Sequence, residues 1–105
     1  MLHASSSIYS LKEEGILNTI NFWRINYPDV RPLGIASTLE ESNNDYYIFT
    51  KNNVKIGIIN YSSFIGTNIP SQNKYMVNII SKKKVEENVS KIKSLVDCII
   101  VCINW

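Results

Sequence analysis

The chain has 105 residues, which is enough for one small domain and leaves no room for a separate substrate-binding module. Its composition, 45% hydrophobic and 19% charged, is typical of a globular protein and predicts a packed core. Eleven Lys and Arg against nine Asp and Glu give a formal net charge of +2, which is too small to indicate a nucleic-acid partner or an anionic membrane surface. We therefore expect no nucleic-acid partner.

The N-terminal ten residues lack the basic, apolar and small-residue segments of a secretory signal peptide. No apolar run is long enough to cross a bilayer, so we also expect no membrane segment. Neither observation assigns the chain to a cellular compartment.

A first helix is predicted after the segment 10–13, Ser-Leu-Lys-Glu, which has the spacing of a capping box with Ser10 as the cap. Pro28 ends the pattern. The apolar residues that recur at helical spacing, and that we expect on the buried face, are Ile16, Leu17, Ile20, Trp23 and Tyr27.

A second capping signature, 38–41, predicts a single short helical turn before the polar stretch 42–45. Beyond it, 46–50 and 54–61 are rich in aromatic and β-branched residues and predict two strands. Asn52 and Asn53 lie between them and tolerate positive φ, so the two strands should form an antiparallel hairpin.

The segment 62–73 carries Gly66 and Pro70 and predicts a long exposed loop, followed by a brief strand over 76–80. Ser81 is placed to cap a second main helix. Its predicted buried residues are Val85, Val89, Ile92 and Val96. The run 82–84, three lysines in its first turn, is expected to be a solvated face, since no aromatic stacking platform accompanies it.

The segment 97–103 is a continuous apolar run, typical of a strand that is covered on both faces. Cys98 and Cys102 fall on one face of this strand and are expected to be small core residues. About 13 Å of strand separates them, which is too far for a disulfide between them. A zinc site would need two more ligands, and the single His of the chain, His3, is distant in sequence.

Five segments, in order along nearly the whole chain, resemble the CapA-type proteins of capsule or poly-γ-glutamate biosynthesis. Segment 13–20 is similar to the stretch that follows the Ala-Asn-Asn-His metal-site motif of that family, and 33–36 to its Val-Gly-Ala-Gly-like segment. Segment 38–42 resembles the family's short acidic helix, and 54–61 the second strand of its hairpin. Segment 99–105 resembles the apolar strand that ends in His-Trp-Gly.

The same comparison exposes departures at the family's metal site. Ser6 and Ser7 stand where the family has an Asn ligand and the neighbouring His, Ser10 stands where it often has Asp, and Asn104 stands where it has the His of His-Trp-Gly. His3 lies four positions too early to replace that His and is expected to be a frayed terminal residue. Serine hydroxyls are poor substitutes for an amide oxygen and an imidazole at a divalent cation. The upstream Asp and Glu ligands and the downstream His pair are not in the sequence.

The resemblance implies one partial metallophosphoesterase-like domain over 1–105, truncated at both ends. The implied fold is an α/β class, a partial α/β sandwich of the calcineurin-like metallophosphoesterase type with two main helices, an antiparallel hairpin and a buried C-terminal strand. Intact relatives are implied to use paired divalent metal ions to activate water, and are often membrane-associated or extracytoplasmic. For this chain we expect no catalytic residues, no metal site and no cofactor, and hence no independent catalysis.

Two other interpretations stay open at this point. The chain could be a small α/β binding or assembly module that completes its sheet with a partner chain, since its apolar last strand has few partners within 105 residues. It could also be a small enzyme with a serine nucleophile. This last alternative ranks lowest, because 5–7 shows no Gly-x-Ser-x-Gly elbow and no His lies at a suitable position to act as base.

Overall fold

The computed structural model describes residues 1–105 and contains three α-helices and three strands. The α-helices are α1 (Lys12–Asn26), α2 (Leu39–Asn43) and α3 (Lys82–Ile92). The strands are β1 (Tyr47–Lys51), β2 (Val54–Ser62) and β3 (Cys98–Asn104). A short 3₁₀ helix, Ser71–Met76, follows the loop after β2.

The three strands form one mixed sheet in the order β1-β2-β3. β1 and β2 run antiparallel, with Phe49 opposite Ile56, while β2 and β3 run parallel, with Ile59 opposite Val101. α3 forms the crossover between the parallel strands, as a parallel connection requires. The expected α/β class, with two main helices and an antiparallel hairpin, is confirmed.

The hairpin turn is built as the sequence predicts. Asn52 and Asn53 have φ of 51° and 63°, a left-handed conformation that Asn adopts at lower cost than most residues. Two consecutive positive φ values match the right-handed twist of the flanking strands. The turn therefore fixes the register that pairs Lys51 with Val54.

One core lies between the sheet and α3. Ile59 and Tyr61 of β2 pack with Ile92 of α3, and all three are fully buried. The Ser81 side chain accepts a hydrogen bond from the Lys84 amide at 3.2 Å, so the predicted cap of α3 is confirmed. Partly buried residues around this core include the predicted helix residues Val85 and Val89.

A second core lies beneath α1, against the loops and the 3₁₀ helix rather than against the sheet. It contains the buried α1 residues Ile16 and Ile20, as the helical spacing predicts. Its other buried members are Tyr9, Ile35, Ile69, Met76 and Val77. Leu17 and Trp23 are only partly buried, and Tyr27 is exposed because the helix ends at Asn26.

The predicted cap of α1 is wrong. Ser10 makes no cap hydrogen bond, because its hydroxyl donates to the carbonyl of Ser7 at 2.7 Å within the preceding turn. Leu11 occupies the cap position instead, and Lys12 enters the helix with a φ of 59°. The second signature is correct, since Thr38 accepts from the Glu41 amide at 3.1 Å and opens α2.

The region between β2 and α3 is more structured than the expected loop and strand. Ser62 belongs to β2, and 71–76 forms the 3₁₀ helix that buries Met76. In place of a strand over 76–80 there are two isolated bridges, Ile35 with Val77 and Ser62 with Ile79. These bridges tie the segment to two different parts of the fold, so it cannot run as a regular strand beside either.

Gly34 is the position where the fold depends most clearly on glycine, and replacing it with alanine should destabilise the protein strongly. Its φ is +89°, and a Cβ there would lie 2.4 Å from the backbone N of Ala4 and 2.5 Å from Asn60 Oδ1. We expect Gly34→Ala to lower the free energy of unfolding by roughly 3 kcal/mol. Urea denaturation followed by circular dichroism measures this.

Gly66→Ala is the matched control, because the nearest atom to a Cβ at that position is 3.5 Å away. We expect this control to change stability little. Equal losses in the two variants would contradict the role assigned to Gly34.

Candidate functional site

β3 is the most exposed apolar strand of the molecule, and the expectation that it is buried is wrong. Ile100 is 46% exposed, Val101 39% and Ile103 39%. The reason is its position, since β3 pairs only with β2 and its other edge has no neighbour. An apolar edge strand of seven residues is a template for pairing with a further strand.

α3 covers only part of one sheet face. Gly57 in β2 brings the helix close, because a Cβ there would lie 2.8 Å from Ile92 Cδ1. The residue that faces the same side one strand over, Ile99, is partly buried by this packing. Val101 and Ile103 point to the same side farther along β3, and their exposure shows that the helix does not reach them.

The opposite sheet face, called the open face below, carries no helix. Its apolar residues follow from the strand register and are Tyr47, Phe49, Val54, Ile56, Ile58, Cys98, Ile100 and Cys102. None of these apolar residues is fully buried, and Tyr47 and Phe49 stack on each other with ring centroids 6.0 Å apart. Asn60 and Ser62 lie on the same face at the end of β2 and are buried, so the face is covered at that end. Apolar residues on both faces of a sheet are typical of a sandwich interior, and here only one face is packed.

The two cysteines lie on this open face. Both thiols are free, Cys98 is exposed and Cys102 is partly buried. The expectation that they are core residues is therefore wrong for Cys98, because the face to which it belongs is not covered.

A polar edge forms where β2 and β3 end, the place at which open α/β sheets bind ligands. The segment before α1 crosses this edge. The Ser6 amide donates to Asn104 Oδ1 at 3.1 Å, and the Ala4 amide donates to Asn60 Oδ1 at 2.8 Å. Asn104 also accepts from the Ser63 amide through its carbonyl, at 2.8 Å.

The structure brings together two of the positions that the family resemblance assigns to a metal site. Ser6 and Asn104 are 98 residues apart in sequence and meet at the polar edge. Ser7 and Ser10 do not join them, since they bond to each other in the turn before α1.

His3 is held in place, so the expectation of a frayed residue is wrong. Its amide donates to the Leu33 carbonyl at 2.8 Å, and its Nε2 accepts from Trp23 Nε1 at 2.7 Å. Burial, with a smaller contribution from the N-terminal charge, lowers the pKa of His3 below its ordinary value of 6.5. The neutral ring that this favours is the form that can accept the indole hydrogen bond.

The donor set at the polar edge does not fit a two-metal phosphoesterase site. The groups present are hydroxyls, amides and backbone atoms, and no cluster of three His, Cys, Asp or Glu residues exists in the molecule. Sites that hold divalent ions for water activation use carboxylates and imidazoles. The polar edge therefore lacks the side chains that paired divalent ions need.

A second polar site, the Asp45 pocket, was not anticipated from the sequence. It is a cavity of about 340 Å³ between α1, the loop 28–32 and the end of α2. The charged residues lining it are Arg24, Arg31, Glu41 and Asp45. These residues come from three separate segments, so no local motif indicates them.

Asp45 lies at the base of this pocket and is only 4% exposed. Its Oδ2 accepts from the Gly34 amide at 2.9 Å. Burial raises the pKa of Asp45 to about 7, against the opposing effects of that hydrogen bond and of the nearby Arg31 and Lys84 charges. Its ionisation therefore falls in the neutral pH range.

The pKa of Glu41 is shifted in the opposite direction, below its ordinary value. Burial opposes its ionisation, but hydrogen bonds from the Ser37 hydroxyl and amide, together with the ion pair to Arg24, outweigh burial and lower its pKa. Glu41 is thus the ionised carboxylate of the pocket and neutralises one of the two arginines.

The lysine run is solvated only in part. The side chains of Lys82 and Lys83 are 89% and 86% exposed and lie near Glu86 and Glu87, one helical turn on. Lys84 instead turns inward, and burial lowers its pKa although the Asp45 and Glu87 charges act in the other direction. Lys84 differs from Lys82 and Lys83 because neighbouring helix residues point in different directions. The run of three lysines alone does not show which of them turns inward.

Comparison with protein-family models, with curated proteins and with solved structures finds no match for the chain. Among its helices, none combines the length and the apolar character that a membrane crossing needs.

The raised pKa of Asp45 predicts a pH dependence of stability. The folded state holds the Asp45 proton up to about pH 7, whereas the unfolded state releases it near 3.8, so this residue makes folding less favourable as pH rises between those values. The free energy of unfolding should fall by up to about 1.4 kcal/mol per pH unit within that window because of Asp45. Asp45→Asn cannot ionise and should lack this loss.

Urea denaturation of both proteins between about pH 5 and pH 7 tests this, because other groups titrate equally in each. Asp29→Asn, which removes an exposed carboxyl, is the control and should follow the wild type. Parallel curves for wild type and Asp45→Asn would contradict the burial of a protonated Asp45.

Proposed function

We propose that this chain is part of a CapA-type α/β domain, of the kind found in capsule or poly-γ-glutamate biosynthesis proteins, and has no catalysis of its own. The observation that carries the proposal is the meeting of Ser6 and Asn104 at the carboxyl edge of the sheet. The resemblance assigns these two distant positions to one site, and a chance likeness of short segments gives no reason for them to touch.

The open face gives the proposal a second support. In a calcineurin-like sandwich the central strands are covered on both sides, whereas here α3 covers one side of β2 and the apolar residues of the open face have no layer over them. Burying one large apolar side chain contributes about 1.5–3 kcal/mol, so a partner layer over this face would stabilise the sheet considerably. The chain has the properties of one part of a larger sandwich.

The side chains at the polar edge support the proposed absence of catalysis. Asn104 stands where the family has the His of His-Trp-Gly, and its Oδ1 accepts a hydrogen bond from the Ser6 amide. Ser7 stands where the family has the other His and lies in the turn before α1. Neither group lowers the pKa of a bound water or acts as a general base near neutral pH. The polar edge positions backbone and holds the fold.

The experiment is a phosphoesterase assay of the purified chain with p-nitrophenyl phosphate and Mn²⁺, with and without a chelator. We expect no chelator-sensitive hydrolysis, and Asn104→Ala should give the same background rate as the wild type. Hydrolysis that is abolished both by the chelator and by Asn104→Ala would overturn the proposal.

A second candidate function is that of an assembly module in which a partner chain adds a strand beside β3. The free edge of β3 favours it, together with the absence of any charged residue from Cys98 to Asn104. A strand without charges can pair with a second copy of itself without like-charge repulsion. A second copy of this chain is thus the simplest partner.

Size-exclusion chromatography with light scattering tests this alternative. It predicts a dimer for the wild type and a monomer for Ile100→Lys, since a lysine on the exposed strand opposes pairing. Ile25→Lys is the matched control, because Ile25 is exposed on α1, away from the sheet, and this variant should remain dimeric. A wild-type chain that is monomeric and well folded would contradict this function.

A further inference from the structure

The Asp45 pocket combines an apolar wall with an excess of positive charge. Ile20 and Ile35 form its buried wall, and Pro28, Val30 and Pro32 form its outer side. A cavity of about 340 Å³ with apolar walls and a few polar groups has the dimensions of a small-molecule site.

The guanidinium groups in the pocket are not equally engaged. Arg24 is held by Glu41 and lies 3.4 Å from the Ser37 hydroxyl. Arg31 donates once, to the carbonyl of Asn44 at 2.8 Å. A guanidinium has five N–H donors, so most of the donors of Arg31 are free for a ligand.

The net charge of the pocket depends on Asp45. With Glu41 ionised and Asp45 protonated, the two arginines leave a surplus of one positive charge among the lining residues. A single carboxylate would neutralise that surplus, and bidentate pairing with a guanidinium is its preferred geometry.

We propose that the Asp45 pocket binds a small monocarboxylate with an apolar body, whose carboxylate pairs with Arg31 and whose body packs on Ile20 and Ile35. In this arrangement the protonated Asp45 side chain donates a hydrogen bond to the ligand. None of these residues belongs to the positions compared with the CapA metal site.

Binding should weaken with increasing pH, because an ionised Asp45 would repel the carboxylate. The groups that face Asp45 are the Gly34 amide, Arg31, Glu41, Tyr61 and Lys84. Arg31 and Lys84 favour the ionised form, Glu41 disfavours it, and burial outweighs them so that the pKa is about 7. Tyr61 has a pKa raised above 10, first by burial, and stays neutral in this range.

The test uses benzoate as the probe and benzylamine as a probe of similar shape and opposite charge, with binding followed by NMR chemical-shift titration. We expect saturable binding of benzoate at about pH 6 and none of benzylamine. The dissociation constant should rise about tenfold between pH 6 and pH 8, as the protonated fraction of a group with a pKa of about 7 falls.

Three variants test what Arg31 and Asp45 contribute to benzoate binding. Arg31→Gln should raise the dissociation constant at least about tenfold, the usual effect of losing a charged hydrogen bond. Asp45→Asn keeps the shape and the oxygen that accepts from Gly34, and should bind benzoate equally well at both pH values. Lys83→Gln removes the same charge from an exposed site outside the pocket and should bind like the wild type.

The proposal is overturned by any of four results. Benzoate could fail to bind at concentrations up to about 10 mM. Benzylamine could bind more tightly than benzoate. Arg31→Gln could bind benzoate as tightly as the Lys83→Gln control. Asp45→Asn could keep the pH dependence of benzoate binding that the wild type shows.

Discussion

The structure depends on the packing of α3 against one face of β2. Gly57 allows Ile92 to approach the strand, and Ile59 and Tyr61 complete a core in which each of these three large side chains is fully buried. This contact also fixes the parallel pairing of β3, because α3 is the crossover that connects β2 to it. The apolar residues on the other side of the sheet, including Tyr47 and Ile100, have no such layer against them.

Much of the fold follows from local physics and was predictable. The positive φ of Asn52 and Asn53, the caps at Thr38 and Ser81 and the apolar face of α3 each rest on residues close together in sequence. The cap at Ser10 was not predictable in this way. Its hydroxyl has two competing acceptors, a helix end and the Ser7 carbonyl, and the turn favours the second.

What failed were inferences about burial, which is a property of the whole fold. The composition of β3 predicts cover on both faces, but the number of layers over a strand depends on which other elements reach it. His3 was expected to be frayed and is held in place instead. Its partner Trp23 lies twenty residues away, and no spacing rule connects the two. The Asp45 pocket likewise draws on three segments whose approach is set by the second core.

The polar edge and the open face lead to the same account. Two positions that a CapA-type protein uses in one site meet at the carboxyl ends of β2 and β3, yet they carry an amide and a backbone N–H that bond to each other. A sheet with one packed face and one open apolar face is stable in a protein when a further layer covers it. The exposed apolar residues of this face are the reason for proposing that further structure completes the core.

The most direct test of the central claim is to sequence the DNA on both sides of this reading frame and to translate it in all frames. If the chain is part of a CapA-type domain, we expect the Asp, Glu and His motifs of the family's metal site to flank the segment in the family's order. Flanking sequence without these motifs would contradict the proposed CapA origin and would leave the assembly module as the better explanation of the exposed β3.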